Sequence, residues 1–136
     1  MIEAPENVAN PPQEALKTPS GIAYLHLKED KTGETIASND WVMIHYTGWT
    51  TDGKMFDSSK ISGKPVVFPL EQLIPGMSEA LTLGRVGESI RVWIPEELAY
   101  KGVQGMPQGM LVFDFEIIQR VTPEMPPEKP TDATRG

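Results

Sequence analysis

Apolar residues fall at every second position in three separate stretches of this chain, and a period of two belongs to a half-buried β-strand. Residues 41–49 (WVMIHYTGW) put Val42, Ile44 and Tyr46 on one face and Trp41, Met43 and His45 on the other. Residues 88–95 place Ile90, Val92 and Ile94 together, and residues 110–121 do the same with Leu111, Phe113, Phe115 and Ile117. Residues 22–28 (IAYLHLK) are rich in β-branched and aromatic types, and residues 55–57 and 65–70 read as short strand pieces around a loop at 58–64. Turn signals stand at Lys31-Thr32-Gly33-Glu34 and Thr51-Asp52-Gly53-Lys54. Only residues 75–83 look helical: Met77, Ala80 and Leu81 share a face, Pro75 suits a first turn and Gly84 a stop. A helix that short must pack on something. Five or six strands and one short helix predict an α+β domain in which an antiparallel sheet wraps over the helix.

Proline marks the domain boundaries. Pro5, Pro11, Pro12 and Pro19 lie in residues 1–20, and Pro123, Pro126, Pro127 and Pro130 lie near the other end. Both segments are polar and poor in aromatics, so we expect flexible, polyproline-leaning tails at 1–20 and 123–136 around one domain at 21–122. There is no internal repeat. With 12 Lys+Arg against 19 Asp+Glu the net charge is −7, which argues against nucleic acid or anionic lipid as a partner. Cysteine is absent, which removes disulfides, thiol chemistry and zinc thiolate sites. Apolar runs fall far short of the roughly 18 residues that span a bilayer. The first residues, MIEAPENVANPP, have neither a basic n-region nor an apolar h-region, so no signal peptide is expected there. The compartment stays open between the cytoplasm and the periplasm or another exported destination reached after loss of a signal. No heptad or long helical arm is present, so a monomer is expected.

The usual catalytic constellations are missing. His26 and His45 sit on separate strands without further ligands at suitable spacing, and we expect hydrogen-bonded or exposed histidines and no metal site. Ser58 and Ser59 follow Asp57 without a nucleophile elbow and read as turn hydroxyls that satisfy backbone groups. The segment Gly84-Arg85-Val86-Gly87 is too short for a phosphate loop, and no cofactor is expected. Glu96 and Glu97 follow Pro95, where acids favour a first helical turn. What remains is aromatic: Tyr46, Phe56, Phe68, Tyr100 and Phe113. Asp57, at the end of an apolar strand piece, is either an exposed turn acceptor or a buried group with a donor, and Tyr46 is a candidate donor. A concave aromatic site with one or two polar groups is the usual form of a small-ligand pocket.

His45-Tyr46-Thr47-Gly48 followed by Asp52-Gly53-Lys54-Met55-Phe56-Asp57-Ser58-Ser59 resembles the signature of the FKBP-type peptidyl-prolyl cis-trans isomerases, in a single-domain, bacterial-like form. Leu73-Ile74-Pro75-Gly76, then Gly87-Glu88, Ile94-Pro95, Leu98-Ala99-Tyr100 and Leu111-Val112-Phe113-Asp114-Phe115-Glu116 continue the resemblance in the family's order, over about residues 21–120. The resemblance implies a half-barrel, a curved sheet of five or six antiparallel strands around one short helix. It implies a pocket walled by Tyr46, Phe56, Phe68 and Phe113, with Met77 as floor and Leu73 and Ile74 at the rim. The Ile74 N–H and the Tyr100 hydroxyl would donate to ligand carbonyls, and Asp57 would be the charged group inside. Tyr46, Phe56, Asp57, Tyr100 and Phe113 would carry catalysis, with Val66, Phe68, Leu73, Ile74, Met77 and Met106 binding substrate. Met77 stands where the family commonly has tryptophan, Val66 where an aromatic is frequent, and the segment 101–109 is shorter than in well-known members. The implied function is isomerisation of X-Pro bonds in proline-containing peptides and unfolded clients during folding, with macrolide inhibitors as further ligands. The rival reading is a non-catalytic binding module, a holdase. The tails hold X-Pro bonds that such a pocket would itself accept.

Overall fold

A computed structural model describes residues 2–121. Strands β1 (Leu16–Lys17), β2 (Ala23–Lys28), β3 (Trp41–Thr50), β4 (Met55–Ser58), β5 (Val66–Pro69), β6 (Ser89–Ile94) and β7 (Leu111–Val121) form one seven-stranded sheet. Its order is β1-β2-β6-β7-β3-β4, and β5 pairs with the first half of the β3 edge whose second half carries β4. All the strand pairings are antiparallel. Helix α1 (Pro75–Leu81) is the α-helix among the described residues, and it ends two residues before the stretch with helical spacing does.

The alternation in the sequence becomes two differently used faces. In register, Ile90 opposes Phe115, Val92 opposes Phe113 and Ile94 opposes Leu111. These side chains form the inner face and pack with Val42, Ile44, Met77, Ala80 and Leu81 in one buried core. Gly76 lets α1 approach β6 closely, because a Cβ there would lie 2.2 Å from Ile94 Cγ2 and 2.8 Å from the Leu98 carbonyl oxygen. Register shifts between Met43 and Ile44 against β7, and between Gly48 and Trp49 against β4, locally increase the bend of β3.

The outer face carries a second apolar cluster, Ala23, Trp49, Trp93 and Val112, and this changes the reading of the N-terminal segment. Ile2, Ala4, Val8 and Ala15 pack on that cluster. Trp93 Nε1 donates to the Asn7 carbonyl at 3.0 Å, and Trp49 Nε1 donates to the Ile2 carbonyl at 3.2 Å. Leu16 and Lys17 then add β1 to the sheet edge. The expectation of a flexible tail over residues 1–20 therefore does not describe residues 2–17. Its composition is poor in apolar residues, but two indoles on the far side of β3 and β6 need cover and an acceptor for each N–H, and this segment supplies both. The stretch that carries Pro5 thus lies across the sheet from α1. The expected C-terminal tail, 123–136, lies outside the described residues.

Candidate functional site

Between α1 and the inner face of the sheet lies an open cavity of about 260 Å³. Tyr46 enters it from β3, Phe56 and Asp57 from β4, Phe68 from β5 and Phe113 from β7. Gln72, Leu73 and Ile74, on the approach to the helix, form one side, with Met77 of α1 beneath and Tyr100 opposite. Met77 is 6% exposed and belongs to the core, so the floor of the cavity is continuous with the hydrophobic interior.

The walls are ordered by aromatic contacts. Phe56 and Phe113 meet edge to face at 5.6 Å, and Phe113 stacks on Phe115 at 5.3 Å. Tyr46 and Phe68 tilt together at 6.4 Å. Gly48 opposes Phe113 in the sheet and makes this arrangement possible. A Cβ at Gly48 would stand 2.7 Å from both Phe113 Cε1 and Phe56 Cζ, so any other residue pushes two walls into the cavity.

The polar groups are few and converge. Tyr46 Oη donates to Asp57 Oδ2 at 2.7 Å. Asp57 itself is exposed, so it is at once a solvent-facing carboxylate and the acceptor for Tyr46. Burial and then the hydrogen bond to Asp57 push the Tyr46 phenol well above its ordinary value. Burial, and next the charge of Asp57, raise Tyr100 as well. Both hydroxyls are therefore neutral donors throughout the physiological range.

The strand register at Tyr46 is set from behind. Ser59 Oγ accepts the Tyr46 N–H at 2.8 Å and lies 2.9 Å from His45 Nδ1. Ser58 Oγ accepts the Lys60 N–H and caps the single turn Ser59–Ile61. The two serines thus satisfy backbone groups, as turn hydroxyls do. His26 Nε2 approaches Glu88 Oε1 at 3.6 Å. No group of three or more His, Asp or Glu side chains with metal-holding geometry occurs among the described residues.

Of the side chains that the sequence nominates, the fold brings Tyr46, Phe56, Asp57, Phe68, Leu73, Ile74, Met77, Tyr100 and Phe113 to one cavity. Val66 and Met106 are not among its lining residues. Val66 pairs with Ile44 and its short side chain packs into the core from the strand start. Met106 stands in the 101–109 loop, 38% exposed. Gln72 was not nominated: it is a polar residue in the single turn Leu70–Gln72, and nothing in its neighbours marks it. A second cavity, of about 300 Å³, opens on the outer face beside Trp49. Of its charged lining side chains, Lys60 pairs with Glu116, Asp114 pairs with Arg91 from outside the lining, and Lys28 is the remaining one.

The inner cavity combines apolar walls, neutral hydroxyl donors and one carboxylate, without a nucleophile and base in contact. Such an arrangement has the chemistry to accept an apolar segment bearing a carbonyl group through shape and hydrogen bonds. The model of the FKBP-type peptidyl-prolyl cis-trans isomerases matches residues 32–118. The FKBP-type isomerase FkpA of Aeromonas hydrophila is 41% identical over 114 residues, covering 81% of this chain and 42% of that protein. A probable FkpA of Neisseria meningitidis is 39% identical over 116 residues, covering 82% of this chain and 42% of its own length. The crystal structure of FkpA from Escherichia coli superposes with a TM-score of 0.75 at 36% identity, over 82% of this chain and 53% of that one. This chain belongs to the FKBP-type peptidyl-prolyl cis-trans isomerase family. It spans less than half the length of the two curated relatives named here.

Proposed function

We propose that this chain accelerates cis/trans exchange of X-Pro bonds in peptides and unfolded protein segments, and that residues 21–122 form the catalytic domain. Rotation about a peptide C–N bond costs about 18–20 kcal/mol because resonance is lost in the twisted form. Both X-Pro isomers are accessible, yet they exchange only over tens to hundreds of seconds. No covalent bond is made or broken, so neither nucleophile nor metal is required. The twisted amide has a ketone-like carbonyl and a pyramidal nitrogen, and it tolerates desolvation better than the planar form. A cavity that binds it more tightly than either planar isomer is a catalyst through that difference alone. A millionfold acceleration needs about 8 kcal/mol of differential binding.

The observation that carries this reading is the join of Phe56, Phe68, Met77 and Phe113 with the Tyr46 and Tyr100 hydroxyls in one cavity. The prolyl ring fits the apolar floor. Tyr100 and the Ile74 N–H serve as donors to the carbonyls that flank it, and Asp57, held by Tyr46, favours the polarised nitrogen side. The same cavity is the place for macrolide inhibitors, and the chain acts as a monomer. A second reading, a holdase that grips clients without turnover, draws on the exposed Val103 and Met106 beside Tyr100. An NMR exchange or protease-coupled assay on a short apolar-X-Pro peptide tests the first against the second. Exchange above the uncatalysed rate supports the isomerase, whereas suppressed client aggregation with no added exchange supports the holdase.

A further inference from the structure

The loop after Tyr100 has little regular structure of its own. Residues 101–109 (KGVQGMPQG) contain Gly102, Gly105 and Gly109, all at positive φ. Two successive turns curl its first part: the Val103 N–H reaches the Tyr100 carbonyl at 2.8 Å, and the Met106 N–H reaches the Val103 carbonyl at 3.3 Å. That curl turns three carbonyls, spaced three residues apart, toward one point. Gln108 occupies it. Its Nε2 lies 2.9 Å from the Tyr100 carbonyl, 3.0 Å from that of Val103 and 3.0 Å from that of Met106. Its Oε1 accepts the Gly102 N–H at 2.9 Å. The amide orientation follows from chemistry, since the reversed amide would set its oxygen against three carbonyl oxygens. The next residue is tied separately, Gly109 N–H to Glu96 Oε2 at 3.0 Å.

We propose that Gln108 is a positioning residue for the cavity: its carboxamide organises the 101–109 loop and, through the Tyr100 carbonyl, holds the Tyr100 ring where it lines the site. The inference rests on the isomerase reading for its kinetic consequence but not for its structural one. A chain with three flexible glycines in nine residues does not hold one conformation without a tether. Here the tether is a single side chain with four backbone contacts, and one of them belongs to the residue whose side chain enters the cavity. Gln108 itself does not line the cavity.

Two substitutions separate its parts. Gln108→Glu keeps the length and an acceptor for Gly102 but replaces the donating nitrogen with oxygen, facing three carbonyls. Gln108→Ala removes every contact. Both are expected to speed amide hydrogen exchange at Val103 and Met106, to shift the Tyr100 ring resonances, and to lower kcat/KM about fivefold, the size of one neutral hydrogen bond. The melting temperature should hold to within a few degrees, because the loop is exposed and adds little to the core. The decisive arm is a double-mutant cycle with Tyr100→Phe. If Gln108 acts by placing the hydroxyl that the Tyr100 ring carries, Gln108→Glu changes the rate of the Tyr100→Phe protein by less than about twofold. Equal losses in both backgrounds, or wild-type rates in Gln108→Glu, overturn the proposal. Should the wild type show no exchange, the isomerase reading falls. The proposal is then decided by amide exchange and the Tyr100 ring shifts alone, and unchanged values overturn it.

Discussion

Tyr46 Oη donates to Asp57 Oδ2 at 2.7 Å and joins neighbouring strands β3 and β4 at the mouth of the cavity. Tyr46→Phe removes the donor and leaves the carboxylate without its partner. A hydrogen bond to a charged group contributes about 1.5–3 kcal/mol, and exposure of Asp57 to solvent brings the effect to the lower end. The expected result is about a tenfold fall in kcat/KM, or about 1.4 kcal/mol of transition-state binding. The circular dichroism spectrum should be that of the wild type. An unchanged rate would separate the pair from catalysis.

The raised phenols predict an alkaline limb and none near neutrality. Tyr46 and Tyr100 both lie above the ordinary value of 10.0 in the folded protein, chiefly through burial. A group whose folded pKa is raised contributes stability that is complete below its unfolded pKa. That contribution is lost as pH climbs through the folded value. These two groups should therefore add no slope to the denaturation midpoint between about pH 7 and pH 9, and destabilise the fold above about pH 10. Urea midpoints across that range, with Tyr46→Phe as control, measure it: the variant should lose part of the alkaline decline.

Gly48 sets the width of the cavity. Gly48→Ala places a methyl group 2.7 Å from both Phe56 and Phe113, so the edge-to-face pair must part or tilt. Overpacking of this kind costs about 1–3 kcal/mol of stability. Activity should fall further than stability does, since the displaced rings are the walls. Chemical denaturation and kcat/KM on one apolar-X-Pro peptide give both numbers, and a stable, fully active variant would refute the wall assignment.

The N-terminal segment should matter for stability and little for turnover. It packs on Trp49 and Trp93 across the sheet from the cavity. Trp93→Phe removes the hydrogen bond to Asn7 and part of a buried side chain, a loss of about 1–2 kcal/mol. Deleting residues 1–15 should shift tryptophan emission to longer wavelength as both indoles are hydrated. Peptide isomerisation by the folded fraction should stay within about twofold of the intact chain. Unchanged emission would mean that the segment does not cover the indoles.

The fold class was legible because the period of the apolar residues is local information. Alternation in residues 41–49 and 110–121 names the faces of β3 and β7, and Pro75 and Gly84 bracket the helix without reference to any distant contact. The two-residue β1 was not legible, since Leu16 and Lys17 become a strand only when β2 is beside them. Asp57 could be read as an exposed acceptor or a paired group, and the tertiary structure makes it both.

By itself the sequence determined the longer strands, the helix, the family and most of the aromatic set around the cavity, because those follow from side-chain period and from short motifs. The tertiary structure alone decided which of those side chains share a cavity, leaving Val66 and Met106 out of its lining and bringing Gln72 in. It also decided that residues 2–15 cover the outer face. The physical reason is the same in each case. A hydrogen bond or an apolar contact between residues far apart in the chain has no local signature, and it exists only once the sheet has curved and brought them together.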